Sequence, residues 1–367
     1  AFKSFVESQP APPNKTVSFD KSEAKVHWDV KRQKQISEEV KITGDSGDSL
    51  TFTLPDNVVL VNKGGEKKTG TVTINAGTSF HLEAEANVDG TWTTGNVGVA
   101  WKYQALLLTM PPEGGNSKQS LGKLNKFKDP AAEISLSVKW LDFGSFELTK
   151  IDETSQLLDG AKFVLKSTDE QTGYAGEGIE YEVKNGKLNI DFIPVGIYTL
   201  IESLPPDHHD KPVQSYQVVI NKDKKTTQIA VNRLKPTGEV KITKTDKETA
   251  ELIKGAEFAL YAAEEIYDSV TFKKIYDKGD LVDEGITGKD GICTLKAPAM
   301  GKYQFEETKP APGYMSNNTK YDVIFRQEDY TTKVYYHNVN IENKKTTTEI
   351  SKIDATTGEE VEGEPFR

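Results

Sequence analysis

The chain has 367 residues, of which 36% are hydrophobic and 28% charged, with a net charge of −10 and one cysteine. At about 100–200 residues per domain that length makes two to four domains, and no run of about 18 apolar residues is present to span a membrane. The acidic balance argues against nucleic-acid or anionic-membrane partners, which need clustered Lys and Arg, and a single Cys293 excludes an internal disulfide or a cysteine-based metal site.

Residues 1–140 open with the Pro-rich "SQPAPPNKT", expected as a linker or extended arm. They continue through "KVHWDV", "LTFTLP", "TVTIN" and "SFHLEAEA", whose alternation predicts an all-β domain. Trp92, Trp101 and Trp140 carry no spacing motif and are expected in core or interface positions. From residue 141 the sequence repeats itself. "FELTKIDETSQLLDGAKFVLK" from Phe146 aligns with "VKITKTDKETAELIKGAEFALY" from Val240, and the opening pentapeptide returns as "ISKID" at Ile350–Asp354. The spacing of Lys150, Lys244 and Lys352 is about 100 residues, too long for a solenoid and right for tandem domains. Boundaries fall at "RLKPTGEV" and at the polar "NKKTTTE", giving domains at 141–236 and 237–345 and a third start or linker at 346–367. Within each unit, short β-branched and aromatic segments punctuated by Gly, Pro, Asn and Asp read as a β-sandwich. "FALYAAEEIYDS" is expected to be a short helix or helical insertion.

Strand alternation places Phe146, Leu148 and Lys150 on one face, and Val240, Ile242 and Lys244 on another. Each lysine continues an apolar row, where burial pushes the amine toward its neutral form. The same test puts Glu202 inward with Tyr198 and Leu200, Glu307 inward with Tyr303 and Phe305, and Asn343 inward with Val339 and Ile341. Glu306 faces the other way. A neutral lysine is a nucleophile, an asparagine amide an electrophile with ammonia as leaving group, and a buried glutamic acid a proton shuttle. Proximity set by the fold would supply the effective molarity for a Lys–Asn isopeptide bond. The alternative is an ordinary sandwich in which each lysine snorkels to the rim and each glutamate forms a salt bridge.

"YQFEETKPAPGY" resembles the E-box of the Cna B-type domains of Gram-positive surface proteins and pilins, and "LTKID…LLDGAKFVL" resembles their opening strands. The resemblance implies tandem Ig-like sandwiches in an elongated array behind an N-terminal all-β domain. It also implies crosslinks Lys244–Asn343 assisted by Glu307 and Lys150–Asn232 assisted by Glu202. The first repeat departs from the motif: its E-box reads "YTLIESLPPDHH", and in "TQIAVNRL" strict alternation puts Asn232 opposite Ile229 and Val231, so a bulge would be needed to turn it inward. Asn221, in the "NKDKK" turn, is a weaker substitute. "VTINAGTSFHLEA" and "KQSLGKLNKFKDPAAEISL" resemble the later part of the thioester domains of some surface adhesins, without the cysteine that chemistry needs.

His208–Asp210 lacks a third and fourth metal ligand, Cys293 alternates with Leu295 as a small buried hydrophobe, and "NKT" and "NNT" are short sequons frequent by chance. No metal or cofactor is expected. The expectation is an extracellular, cell-wall-associated adhesin or stalk, not an enzyme beyond single-turnover bond formation. Its host or matrix ligand would be met through the N-terminal or upstream region, and the cell wall through a part beyond Arg367. The fragment is expected to carry no signal peptide or sorting sequence and to stop inside a third repeat. A sortase-polymerised pilus subunit, for which no "YPK"-type motif is found in residues 1–140, and an extracellular enzyme are the other classes.

Overall fold

The structure, a computed structural model, describes residues 15–97, 99–109, 121–128, 134–347, 351 and 353–359. The Pro-rich arm through Asn14 of the "NKT" sequon, the Asp129–Pro130 step and Lys352 lie outside these residues. The described chain is all-β apart from one 3₁₀ turn at Glu170–Thr172. It divides into two compact units. One combines Ala1–Lys150, Asp159–Leu204 and Pro212–Ala230; the other combines Ile151–Leu158, Pro205–Lys211 and Val231–Arg367.

In the first unit, the N-terminal sandwich is built on strands Lys15–Phe19, Val40–Thr43, Ser79–Ala84, Lys34–Ser37 and Val26–Asp29. Ser49–Thr53 and Thr71–Asn75 pair antiparallel as a separate two-stranded sheet, and Thr91–Thr93, Ser137–Lys139 and Glu23–Ala24 form a third sheet. Alternation aims Val40, Ile42, Leu50, Phe52, Phe80, Leu82, Leu136 and Val138 into one apolar core. Trp140 lies in that core and Trp92 packs against it; the side chain of Trp101 is outside the described residues.

Trp28 behaves differently. It belongs by sequence to the N-terminal sandwich, yet it is buried in the core of the first repeat with Phe146, Phe163 and Tyr198. Its ring meets Phe143 edge-on at 4.7 Å between centroids. Gly173 makes room for it: φ is +75°, and a Cβ there would stand 2.2 Å from the Trp28 carbonyl oxygen. Gln35 Oε1 accepts the Leu141 N–H at 2.7 Å, and Lys222 joins Asp89 to Asp142 at 2.5 and 2.7 Å.

The two repeats share one topology. In the first, Lys187–Pro194, Phe143–Asp152 and Lys225–Asn232 face a sheet of Ile179–Glu182, Lys162–Ser167, Gly196–Leu204 and Tyr216–Ile220. In the second, Ile292–Ala297, Thr237–Asp246 and Val334–Asn343 face Leu281–Ile286, Glu257–Ala262, Gly301–Lys309 and Lys320–Phe325. Each E-box tyrosine is anchored in the same way: Tyr198 donates to the Pro194 carbonyl and Tyr303 to that of Ala299, both at 2.7 Å. In the second repeat the first and last strands run parallel for ten residue pairs, aligning Lys244 with Ile341 and Asp246 with Asn343.

The expected helical insertion is not formed. Phe258, Leu260 and Ala262 bury one face of the strand Glu257–Ala262, and the chain then turns into a small hairpin of Ile266–Tyr267 with Lys274–Tyr276. Pairing on both sides, with Gly301–Lys309 and Leu281–Ile286, satisfies the backbone of this strand as a helix would have done.

Candidate functional site

In the second repeat, Lys244 is fully buried, held on the strand Thr237–Asp246 by flanking Ile242 in the core. Its Nζ lies 2.5 Å from Asn343 Oδ1, 3.4 Å from Glu307 Oε1 and 5.7 Å from the centroid of the Phe258 ring. Glu307 comes from the E-box strand Gly301–Lys309, directly opposite Phe258. Both of its oxygens accept from Asn343 Nδ2 at 2.9 Å, and Oε2 also accepts the Asn317 N–H at 2.8 Å. Burial lowers the Lys244 pKa, and the nearby Glu307 only partly opposes this. The predicted trio therefore stands as one dry constellation with an amine, an amide and a carboxyl in mutual reach. Glu306 points outward to Lys320 at 3.3 Å.

In the first repeat, Lys150 is fully buried as well. Its Nζ is 3.8 Å from Glu202 Oε1 and 3.4 Å from the Ala230 carbonyl oxygen. Along Lys225–Asn232 the inward row is Thr226, Gln228, Ala230 and Asn232, whereas Ile229 and Val231 are 58% and 43% exposed. Asn232 is thus buried in step with Ala230 by plain alternation, and no bulge is needed to turn it inward. Its Nδ2 donates to the Asp210 carbonyl at 2.6 Å. Asn221 sits in the exposed turn closed by the Lys224 N–H to the Asn221 carbonyl. His209 is buried, with Nδ1 2.9 Å from the Asp207 carbonyl, and its backbone bridges to Leu234. Cys293 is buried in the second core, and burial pushes its thiol up to about 11.

Two aspartates escaped the sequence reading. Asp152 and Asp246 each lie two residues beyond the buried lysine and are themselves buried. Asp152 accepts the N–H groups of Thr154 and Gln156, and Asp246 those of Glu248 and Thr249. The signal was present, since alternation puts residue i+2 on the lysine's own face.

Comparison with known proteins bears on this architecture. A family model described as a TED associated beta sandwich domain matches residues 18–100. That span contains "VTINAGTSFHLEA", the first of the two segments that resemble thioester domains; much of the second lies outside the described residues. No curated protein matches the chain. Similar solved structures include the Bacillus anthracis TIE protein, 17% identical over 92% of this chain and 60% of that one, with a TM-score of 0.28. A streptococcal ancillary pilin is 15% identical over 83% of this chain and 93% of its own (TM-score 0.32), and the shaft pilin SpaA of Lactobacillus rhamnosus GG is 14% identical over 57% and 100% (TM-score 0.36). This chain therefore spans less than two thirds of the TIE chain. The SpaA prealbumin-like fold domain matches twice, over residues 144–235 and 238–340, which together make up more than half of the sequence; the chain belongs to the SpaA prealbumin-like fold family.

Proposed function

We propose that the chain is a section of an extracellular, cell-wall-associated stalk whose repeats close themselves with Lys–Asn isopeptide bonds and so carry a ligand-binding region away from the cell. The observation that supports this most is the buried triad of Lys244, Glu307 and Asn343. Two like-built repeats with an inward lysine and glutamate each, in a family of prealbumin-like domains, suit a tandem stalk.

The geometry supports a route to the bond in three steps. A proton passes from Lys244 Nζ to Glu307 across 3.4 Å, leaving the neutral amine that burial of Lys244 favours. The Nζ lone pair attacks Asn343 Cγ. Glu307, hydrogen-bonded to the departing Nδ2, gives that nitrogen its proton and takes one from Nζ. The Cγ–Nδ2 bond breaks, ammonia leaves, and Glu307 ends as the free acid beside the new amide. Each site turns over once. The like-placed Lys150, Glu202 and Asn232 are proposed as the corresponding nucleophile, proton shuttle and acceptor in the first repeat.

Such a bond joins first strand to last, so tension entering at one and leaving at the other bypasses the rest of the domain. It also needs no oxidant, which suits a surface protein with one cysteine. Intact mass tests the proposal. Two losses of about 17 Da each are expected; Lys150→Ala and Lys244→Ala each restore one, and Glu307→Gln restores the second without emptying the lysine pocket. A purified, folded chain at its full sequence mass refutes the reading.

A further inference from the structure

The Asp246 carboxylate does more than cap a turn. Oδ1 accepts the Glu248 and Thr249 N–H groups at 2.8 and 2.9 Å, while Oδ2 accepts the Tyr314 hydroxyl at 3.1 Å and pairs with Lys345 Nζ at 3.3 Å. The N–H groups of Thr249 and Glu248, then Lys345 and Tyr314, hold the carboxyl well below the usual range despite its burial. In the third occurrence of the pentapeptide, "ISKID", Asp354 caps the turn that follows through the Thr356 and Thr357 N–H groups and is exposed. The turn alone therefore does not require a buried carboxylate with two further partners.

Those partners come from the segments that carry the other two reacting groups. Lys345 lies two residues beyond Asn343, and Tyr314 lies in the loop that follows the Glu307 strand Gly301–Lys309. Tyr314 bridges the Lys345 backbone, the Met315 N–H donates to the Lys344 carbonyl at 2.8 Å, and the Thr346 N–H to that of Gly313 at 2.9 Å. Among the described residues, Val334–Asn343 is an edge strand, paired only with Thr237–Asp246. A slip of one residue along that partner would turn Asn343 out of the core. Asp246 is the residue aligned with Asn343, and the Lys247 N–H donates to the Asn343 carbonyl at 3.0 Å.

We propose that Asp246 is a positioning residue for the Lys244–Asn343 bond, its carboxylate drawing Tyr314 and Lys345 together so that the edge strand is locked at the register in which Asn343 meets Lys244. The inference rests on the isopeptide reading above. The first repeat has the same anchor two residues past its acceptor: His209 bridges Leu234 as Tyr314 bridges Lys345.

The test times bond formation in the whole chain. Newly synthesised protein from a cell-free pulse is quenched in acid at intervals and digested, and the Lys244–Asn343 crosslinked peptide is quantified against the Lys150–Asn232 peptide of the same molecules. Protease resistance before the quench gives the folded fraction. Tyr314→Phe, which deletes one oxygen, and Asp246→Asn, which keeps an acceptor for the turn but removes the charge, should each slow the second bond about tenfold per folded molecule, the scale of a hydrogen bond to a charged group. The first bond should keep its rate. A purely structural role would instead lower the folded fraction and leave the rate per folded molecule unchanged, and that result in Tyr314→Phe overturns the proposal. Failure of either bond to form in the unaltered chain would overturn the isopeptide reading itself, a separate outcome.

Discussion

Replacing Lys244 by methionine keeps an unbranched chain of similar length in the pocket while removing the nucleophile. Lys244 and Asn343 are 99 residues apart, and closing a loop of that length removes denatured-state entropy worth about 4.7 kcal/mol. Loop length enters only logarithmically, so the shorter loop of the first repeat should be worth the same within about 0.2 kcal/mol. Cys293 offers a reporter confined to the second repeat, because it is the chain's one cysteine and is buried there with its thiol pushed up to about 11. Its labelling requires the repeat to open. At tenfold per 1.4 kcal/mol, the Lys244→Met chain should label on the order of a thousandfold faster than the unaltered one in native buffer. Lys150→Met should leave the rate unchanged. Intact mass on the same samples shows which bonds are present. If the second bond is absent and labelling accelerates less than about tenfold, the entropic account of its stabilisation is wrong.

Trp28→Ala should unfold the first repeat more easily by about 3–5 kcal/mol although Trp28 belongs by sequence to the preceding sandwich; chemical denaturation followed by proteolytic mapping of the first nicked segment checks it. Asp268 carries a sign-definite pH dependence. Burial would raise its carboxyl, but Lys235 and the N–H groups of Thr271 and Val270 outweigh burial and hold it at about 2. Since the folded value is depressed, the stabilisation, about 2 kcal/mol, is complete above about pH 4 and lost as pH falls toward 2. Asp268→Asn should therefore lower the denaturation midpoint at pH 7 and leave it unchanged at pH 2.

Alternation exposed the inward lysines and glutamates in the sequence because each sits in a strand whose other inward residues are apolar: Phe146 and Leu148, Val240 and Ile242, Tyr198 and Leu200, Tyr303 and Phe305. It misled at Asn232 because that strand inverts the pattern. Ile229 and Val231 face outward while Thr226, Gln228, Ala230 and Asn232 face inward, so hydrophobicity pointed to the wrong side. The helix expected in "FALYAAEEIYDS" fits its three alanines and two glutamates, whose helix propensity is overridden by pairing on both strand edges. Trp28 could not be assigned to its core from sequence, since its alternation with Val26 is that of any N-terminal core residue. The hydrogen bond and ion pair of Asp246 join residues far apart in the chain, and only the closed fold brings Tyr314 and Lys345 to one carboxylate.

The near-terminal placement of the Lys244–Asn343 pair also changes what a protease can accomplish. With the bond made, the backbone from 244 to 343 and the crosslink are two separate covalent routes between the same points. A single cut anywhere in that interval leaves both ends of the chain attached to each other, and the nicked product keeps the mobility of one molecule on a denaturing gel. With both proposed bonds made, one cleavage would part the chain only outside the two intervals, in residues 1–149, 233–243 and 344–367. Surface loops within the repeats, such as the one around the exposed Phe272, are thereby free to vary and to be clipped without loss of the connection.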